Sequence, residues 1–281
     1  MNLSFRVQGD AVWASDDEGN SRRIDDSKAA ELREWWERAP SAHPDDGLTA
    51  AVLTDLGQAH RARPRPTGRK VDAFVESGHR GSALGPMVST ESRSLAEILL
   101  IRRSERLFGP TSLSALATLL LRSGRLRDWT TAEDGYVATH RPTPSAGARH
   151  PFELLLMAGE GISGLEPGAY QFDPLRCALR TTSQGQLSSE AFLELLGERL
   201  DSSALPPAAV CLVGHLDRTL SRYPSGMSLV WRDAGALLQT LHLCAVDLGL
   251  RSCVVGTCGI LYEEPGPTVD MGCLAIGGDL Q

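Results

Sequence analysis

The stretch that decides the fold is RPTPSAGARHPFELLLMAG, residues 141–159. Its first half is basic and rich in small, turn-forming residues. Its second half, Phe152–Ala158, is a short apolar run that predicts a buried strand. A plain surface loop is one interpretation of the first half. The alternative is that a flat ligand lies close to this backbone, because Ala146, Gly147 and Ala148 carry almost no side chain.

Composition narrows the class of protein. The chain has 281 residues and 42% hydrophobic content, which suits one large domain or one domain with a small module. A net charge of −7 does not indicate the basic surface that nucleic-acid binding requires. There is no signal-peptide pattern, and no apolar run approaches the roughly 20 residues of a membrane helix. The six cysteines are dispersed without a CxxC pair, so we expect no metal site and a cytoplasmic, reduced protein.

Residues 1–60 predict a small N-terminal α+β module. LSFRVQGDAVWAS, residues 3–15, predicts two strands around a Gly-Asp turn, and helices are expected over residues 25–39 and 51–62. This content fits a winged-helix-like module that docks a peptide or partner, and it fits any small α+β cap equally well. Residues 61–90 are rich in proline and glycine without apolar periodicity, which predicts a linker.

Residues 91–281 predict a second domain in which helices and strands interleave, an α+β pattern. Two leucine-rich segments predict helices, SLAEILLIRRS from Ser94 and SLSALATLLLRSG from Ser112 to Gly124. The longest helix is predicted over residues 228–249. Since it is apolar nearly all round, we expect it to be buried in the core or in a dimer interface.

A basic cluster, RRSER, follows the first of these helices. If the chain is extended there, Arg102, Ser104 and Arg106 point to one side and suit a phosphate. A solvated basic helix end that complements the helix dipole is the alternative.

Other candidates flank the longest helix. Arg222 and Tyr223 precede it, and an arginine beside a tyrosine favours the phenolate and hence proton transfer, although such a tyrosine is also a common half-buried aromatic. Within the helix, Asp233 is a predicted partner for an arginine, and Gln239 could reach a ligand edge or a second subunit. After it, a turn at Gly256 and Thr257 either approaches a ring system or simply ends a core strand.

Taken in order, four stretches resemble the nitroreductase-like flavoproteins of the SagB type. They are RRSERLF (102–108), PSAGARHPFELLLMA (144–158), GLEPGAYQFDP (164–174) and RYPSG through VVG (222–256). This family includes the azoline dehydrogenases of thiazole/oxazole-modified peptide biosynthesis, thiopeptides among them. The resemblance runs from about Ser94 to Gly278. It implies a nitroreductase-like FMN-binding domain, a homodimer and two flavin sites at the subunit interface.

The resemblance also implies roles for individual residues. Arg102, Ser104 and Arg106 would hold the FMN phosphate. The small residues Pro144, Ser145, Ala146 and Gly147 would lie near the isoalloxazine, and Gly256 and Thr257 would approach the ring from another side. Gln239 is the further candidate for a ligand contact.

The expected chemistry is oxidation of an azoline ring to an azole. In the family a Lys-Tyr pair before the long helix helps to remove the proton while hydride passes to the flavin. The matching pair here is Arg222-Tyr223. Arginine is a poor general base, because it does not deprotonate in proteins. We therefore expect Tyr223 to handle the proton, with the charge of Arg222 favouring its phenolate.

Three hypotheses for function follow. The first is an FMN-dependent azoline dehydrogenase that acts on a precursor peptide, with a cyclodehydratase as a further partner. The second is an NAD(P)H-dependent reductase of small nitro compounds or quinones. The third is a flavin-free scaffold in a biosynthetic complex, which the intact RRSER and PSAGA stretches disfavour because a scaffold does not need them.

Overall fold

The structure is a computed structural model. It describes the backbone of residues 4–8, 11–15 and 21–23, and residues 81–87, 93–133, 135–182, 188–202, 204–223, 226–256 and 268–280. The chain divides into two compact units. One comprises residues 1–65 with 223–228, and the other comprises residues 66–222 with 229–281.

The first unit contains a small antiparallel sheet. Strands β1 (Ser4–Gln8), β2 (Ala11–Ser15) and β3 (Ser21–Arg23) follow one another in chain order. Ser4 pairs with Ser15 and Gln8 with Ala11, so the two-strand prediction over residues 3–15 is confirmed. The helices predicted over 25–39 and 51–62 lie outside the described residues. The predicted module boundary and linker remain predictions.

The second unit interleaves helices and strands, and the α+β class is confirmed. Its helices are α1 (Leu95–Ile101), α2 (Leu113–Gly124), α3 (Ser189–Arg199), α4 (Asp217–Leu220) and α5 (Met227–Asp247). Its strands are β4 (Ser82–Ala83), β5 (Thr111–Ser112), β6 (Asp128–Thr131), β7 (Val137–His140), β8 (Phe152–Ala158), β9 (Ile162–Ser163), β10 (Gly168–Asp173), β11 (Ala178–Thr181), β12 (Ala208–His215), β13 (Arg251–Val255) and β14 (Thr268–Gly277).

A seven-stranded sheet forms the centre of this unit, in the order β13-β14-β12-β8-β10-β11-β4. Its neighbouring strands are antiparallel. The predicted strand Phe152–Ala158 is β8, and it lies between β10 and β12. Leu155 and Leu156 point to opposite faces of the sheet and are both buried, which explains why this strand is apolar on both faces rather than alternating.

Helices cover both faces of the sheet. On one face, Leu155 and Met157 of β8 pack with Phe192 and Leu196 of α3 in one core cluster. On the other face α2 comes very close, since a Cβ added at Gly124 would lie 2.8 Å from the Leu154 side chain. A larger residue at this position would displace the Leu154 side chain, so glycine allows α2 to pack closely on the sheet.

The starts of α1 and α2 are defined by local capping. Ser94 and Glu97 form a reciprocal capping box at the start of α1, and the Ser112 hydroxyl accepts a bond from the Ala115 amide at the start of α2. Arg93 donates to the Val246 and Asp247 carbonyls at the end of α5. The start of α1 therefore satisfies carbonyl groups that α5 leaves without intrahelical partners.

Helix α5 is buried along one side and exposed along another. Val230, Leu241 and Ala245 are buried, whereas exposed residues follow one stripe of the helix: Trp231, Gly235 and Gln239. Residues four apart share a face, so the predicted burial in the core is confirmed for one side of α5, and a dimer interface along the exposed stripe stays a prediction. In the described part of the chain, no helix is long and apolar enough to cross a membrane.

Candidate functional site

The PSAGA loop is held by a carboxylate of the longest helix. Asp233 on α5 accepts a hydrogen bond from the Ser145 hydroxyl at 2.5 Å and from the Ala146 amide at 3.1 Å. The Ser145 oxygen in turn accepts from the His150 amide at 2.9 Å. These bonds fix the loop from inside. They also show that the predicted Asp233–arginine pair is wrong, since the partners of this carboxylate are Ser145 and Ala146.

Burial and hydrogen bonding have opposite effects on the pKa of this carboxylate. Asp233 is 7% exposed, and burial raises its pKa, whereas the bonds from Ser145 and Ala146 work in the opposite direction. A partly desolvated carboxylate depends strongly on its donors. The loop and the helix are therefore mutually dependent at this point.

The loop backbone takes the left-handed conformation at three positions. Gly147, Ala148 and His150 have φ values of 59°, 53° and 44°. This conformation is unfavourable for residues with a Cβ, and it persists only where surrounding bonds impose it. Gly147 adopts this conformation without strain and is exposed, so backbone without a side chain is presented on the surface.

Tyr136 fixes the outer edge of the loop. Its hydroxyl donates to the Gly147 carbonyl at 2.5 Å. The guanidinium carbon of Arg149 lies 4.9 Å from the centre of its ring, and that of Arg222 lies 3.6 Å from the same centre. Both contacts are cation–π interactions. The candidate residue Arg222 is thus linked through one aromatic ring to the PSAGA loop.

Tyr136 was missed by sequence reasoning. It lies in TAEDGYVAT between two weak strands, and no local pattern marks it. The only available signal is that a tyrosine stands close before a glycine-containing loop.

Arg149 and His150 are structural. Arg149 is 2% exposed and donates to the Arg218 and Val137 carbonyls, both at 2.7 Å. The His150 Nε2 atom donates to the Thr139 carbonyl at 3.0 Å. Burial, and then the charge of Arg141, lowers the pKa of His150 to about 3. This imidazole is neutral at neutral pH, as a structural histidine would be.

The RRSER cluster is irregular after α1 ends at Ile101. The His242 ring of α5 bonds the Arg103 carbonyl at 3.2 Å, and the Glu105 amide donates to the Ser252 carbonyl at 2.9 Å. The Glu105 carboxylate pairs with Arg103 and with Arg251. Residues 103 and 105 are therefore engaged with the rest of the protein.

The alternate residues of the same segment are differently placed. Within the described part of the chain, the side chains of Arg102, Ser104 and Arg106 make no hydrogen bond or ion pair. Ser104 and Arg106 are exposed and Arg102 is partly so. Two guanidinium groups and a hydroxyl are thus left available for a ligand.

The remaining candidates are spread along α5 and its flanks. Gln239 and Gly256 are exposed, and Tyr223 is half-buried four residues before α5 begins. Thr257 lies outside the described residues.

The role of Ser145 in fixing the loop leads to a stability prediction. Ser145→Ala removes a donor to Asp233 and an acceptor for the His150 amide, so we expect a loss of about 1–3 kcal/mol in the free energy of unfolding. Urea denaturation measures it. Ser163→Ala, at an exposed serine, is the control and should change the value by less than about 0.5 kcal/mol. Equal effects of the two substitutions would show that the loop does not depend on Ser145.

Comparison with solved structures identifies the architecture. A protein from Ralstonia eutropha described as a nitroreductase matches with a TM-score of 0.53 and 19% identity, over 78% of this chain and 96% of that one. Another from Anabaena variabilis matches with a TM-score of 0.56 and 19% identity, over 87% of this chain. The fold is nitroreductase-like. The match spans only 45% of the Anabaena chain.

Other comparisons add less. The E. coli microcin synthetase McbBCD complex with truncated pro-MccB17 matches at 18% identity over 90% of this chain and 97% of that one, with a TM-score of 0.49, too low to bear on function. Neither a model of a known protein family nor a curated protein matches the sequence.

The residues on this nitroreductase-like fold suit FMN. A phosphate needs cationic and hydroxyl donors, and Arg102, Ser104 and Arg106 are donors of those types that make no side-chain hydrogen bond or ion pair among the described residues. A flat ring needs backbone without bulky side chains, and the exposed turn at Gly147 supplies it.

Proposed function

We propose that this protein is an FMN-dependent dehydrogenase that oxidises thiazolines or oxazolines to azoles in a ribosomally made peptide. The observation that carries the proposal is the rigid PSAGA loop, whose exposed backbone at Gly147 is fixed by Asp233 from one side and Tyr136 from the other. Bound FMN would supply a two-electron acceptor for the reaction.

Arg102, Ser104 and Arg106 bind the FMN phosphate in this proposal, and Pro144 to Gly147 with Gly256 and Thr257 border the ring. Since guanidinium–phosphate bonds are charge-assisted, each is strong for its size. Gln239 lies exposed on α5, where it can contact the ring edge or a second subunit.

Removal of one phosphate ligand should weaken FMN binding. We expect Arg106→Gln to raise the Kd for FMN about 10-fold or more, because a hydrogen bond to a charged group contributes about 1.5–3 kcal/mol. Arg103→Gln is a matched control, since Arg103 pairs with Glu105 and not with the ligand. Fluorescence titration of the apoprotein with FMN measures both. An unchanged Kd for Arg106→Gln would remove this residue from the site.

The azoline substrate is inferred from the Arg222-Tyr223 pair before α5. In this proposal Tyr223 takes the ring proton, and Arg222 contributes a fixed positive charge next to it in the sequence. Because the Arg222 guanidinium stacks on Tyr136, its position is coupled to the loop that borders the ring.

A homodimer is supported by exposed apolar side chains in the second unit. On α1, Leu100 is 85% exposed and Leu95, Leu99 and Ile101 are also exposed. Trp231 on α5 is 54% exposed. Such clustered apolar exposure is typical of an interaction surface. A precursor peptide and a cyclodehydratase are the further partners proposed.

The decisive experiment begins with the visible absorption spectrum of the purified protein and identification of any released chromophore. Stoichiometric FMN, followed by a mass loss of two hydrogens from an azoline peptide, supports the proposal. Rapid reduction of the flavin by NADPH, with turnover of nitro compounds or quinones and no change in the azoline peptide, favours the small-molecule reductase. A colourless protein that does not bind added FMN favours the scaffold.

A further inference from the structure

Three arginines, one buried and two half-buried, lie together beside the start of β8. They have no role in the proposed chemistry. Arg141, Arg180 and Arg218 line one cavity together with Glu153 and Asp173. Arg141 also lines the neighbouring cavity under the loop, beside Ser145 and Asp233. The cluster therefore adjoins the loop without being part of its exposed surface.

Several guanidinium atoms in this cluster are buried without an acceptor. Within the described residues, Nε and Nη2 of Arg141, Nε of Arg180 and Nη1 of Arg218 have no hydrogen-bond partner. The Arg218 side chain is only 3% exposed. Buried donors are nearly always satisfied, and unsatisfied ones indicate an acceptor such as an ion or water.

The charges in the cavity do not balance. Glu153 is occupied by Arg218, from which it accepts a bond at 2.5 Å. Asp173 accepts from the Leu175 and Arg176 amides and pairs with Arg176. Arg141 and Arg180 thus have no carboxylate partner in the described part of the chain, although Arg180 donates to the Gln171 side chain at 2.8 Å. Burying an unpaired cation is costly.

The pKa of Arg141 agrees with a buried guanidinium that lacks a paired carboxylate. Burial, and then the charge of Arg218, lowers the pKa of Arg141 to about 10. A water molecule could accept some of the bonds, but it would leave the positive charge unbalanced. An anion satisfies the donors and the charge together.

We propose that this cavity binds one chloride-sized anion that holds Arg141, Arg180 and Arg218 together and supports the base of the PSAGA loop. The cavity volume is about 20 Å³, which is enough for a monatomic ion. The site would act on stability and loop order, separately from flavin binding and turnover.

The first test is thermal unfolding of the full chain while chloride replaces gluconate, which is too large for the cavity, at constant ionic strength. We expect the midpoint temperature to rise saturably by a few degrees, because a ligand that binds only the folded state stabilises it. Arg180→Gln should raise the half-saturating chloride concentration at least about 10-fold, since it removes a charge from the cavity. Arg176→Gln is the matched control, because Arg176 pairs with Asp173 without lining the cavity, and it should retain the response.

The second test uses the unaltered protein and so remains decisive if Arg180→Gln does not fold. Crystals soaked in bromide should show an anomalous peak within hydrogen-bond distance of Arg218 Nη1 and the Arg141 guanidinium. A water or no density at that position would overturn the proposal. So would an identical chloride response in Arg180→Gln and the unaltered protein. Neither result bears on whether the protein binds FMN.

Discussion

The Tyr223→Phe variant is expected to oxidise an azoline peptide about 100- to 10,000-fold more slowly than the unaltered protein, while its FMN content is unchanged. This is the range that a positioned acid–base group contributes. The loss should fall on kcat more than on KM, because a phenolic oxygen that receives a proton in the transition state contributes little to ground-state binding. Single-turnover reduction of the bound flavin by the peptide measures the step directly.

Two further variants test whether the loss of rate is due to proton transfer by Tyr223 or to the loss of any tyrosine hydroxyl. Tyr170 on β10 has a hydroxyl that donates to the Glu166 carbonyl at 2.8 Å. Tyr170→Phe removes this hydroxyl, and we expect it to leave the rate of azoline oxidation unchanged. Arg222→Lys retains a cation beside Tyr223 and restores the pair seen in the family that the sequence resembles. We expect it to keep at least the original rate. A Tyr223→Phe variant that oxidises azolines normally would remove this tyrosine from the mechanism.

The second large effect is on stability. Glu153 is the second residue of β8, and its two carboxylate oxygens contact Arg218, Gln171 and His215. We expect Glu153→Gln to lower the free energy of unfolding by about 3–5 kcal/mol at pH 7, because it leaves the buried guanidinium of Arg218 without its charge partner. Glu194→Gln, at an exposed residue of α3, should change it by less than about 0.5 kcal/mol.

The contribution of the Glu153 carboxylate to the free energy of unfolding should depend on pH. Burial raises the pKa of Glu153, but His215 and Arg218 outweigh burial and lower it to about 2 from 4.5. A carboxyl whose folded pKa is depressed stabilises the protein fully above its unfolded pKa and loses that contribution as the pH falls through the folded value.

The window for this prediction therefore lies below pH 4.5. Between pH 7 and pH 3 the stability difference between the unaltered protein and Glu153→Gln should shrink by about 2 kcal/mol. Urea denaturation at both pH values measures it. A difference that is the same at pH 7 and pH 3 would contradict the depressed pKa and its assignment to Arg218 and His215.

Much of the fold was predictable because its signals are local. The bounds of β8, the start of α1 after Ser94 and the bounds of α2 between Ser112 and Gly124 follow from patterns a few residues long. The alternation in RRSER is also local: residues 103 and 105 contact the rest of the protein, whereas the side chains of Arg102, Ser104 and Arg106 make no hydrogen bond or ion pair among the described residues. Such patterns state what each segment prefers without reference to distant partners.

The α+β class, the helices that begin after Ser94 and Ser112 and the buried strand after the PSAGA loop could all be predicted from sequence patterns alone. The contacts that hold the loop depend on the folded chain. Asp233 bonds Ser145 across 88 residues, Arg218 reaches Glu153 across 65, and Arg222 stacks on Tyr136. No local preference encodes those pairs. They exist because the packing of α5 and the central strands excludes water, so buried polar groups must find partners in one another.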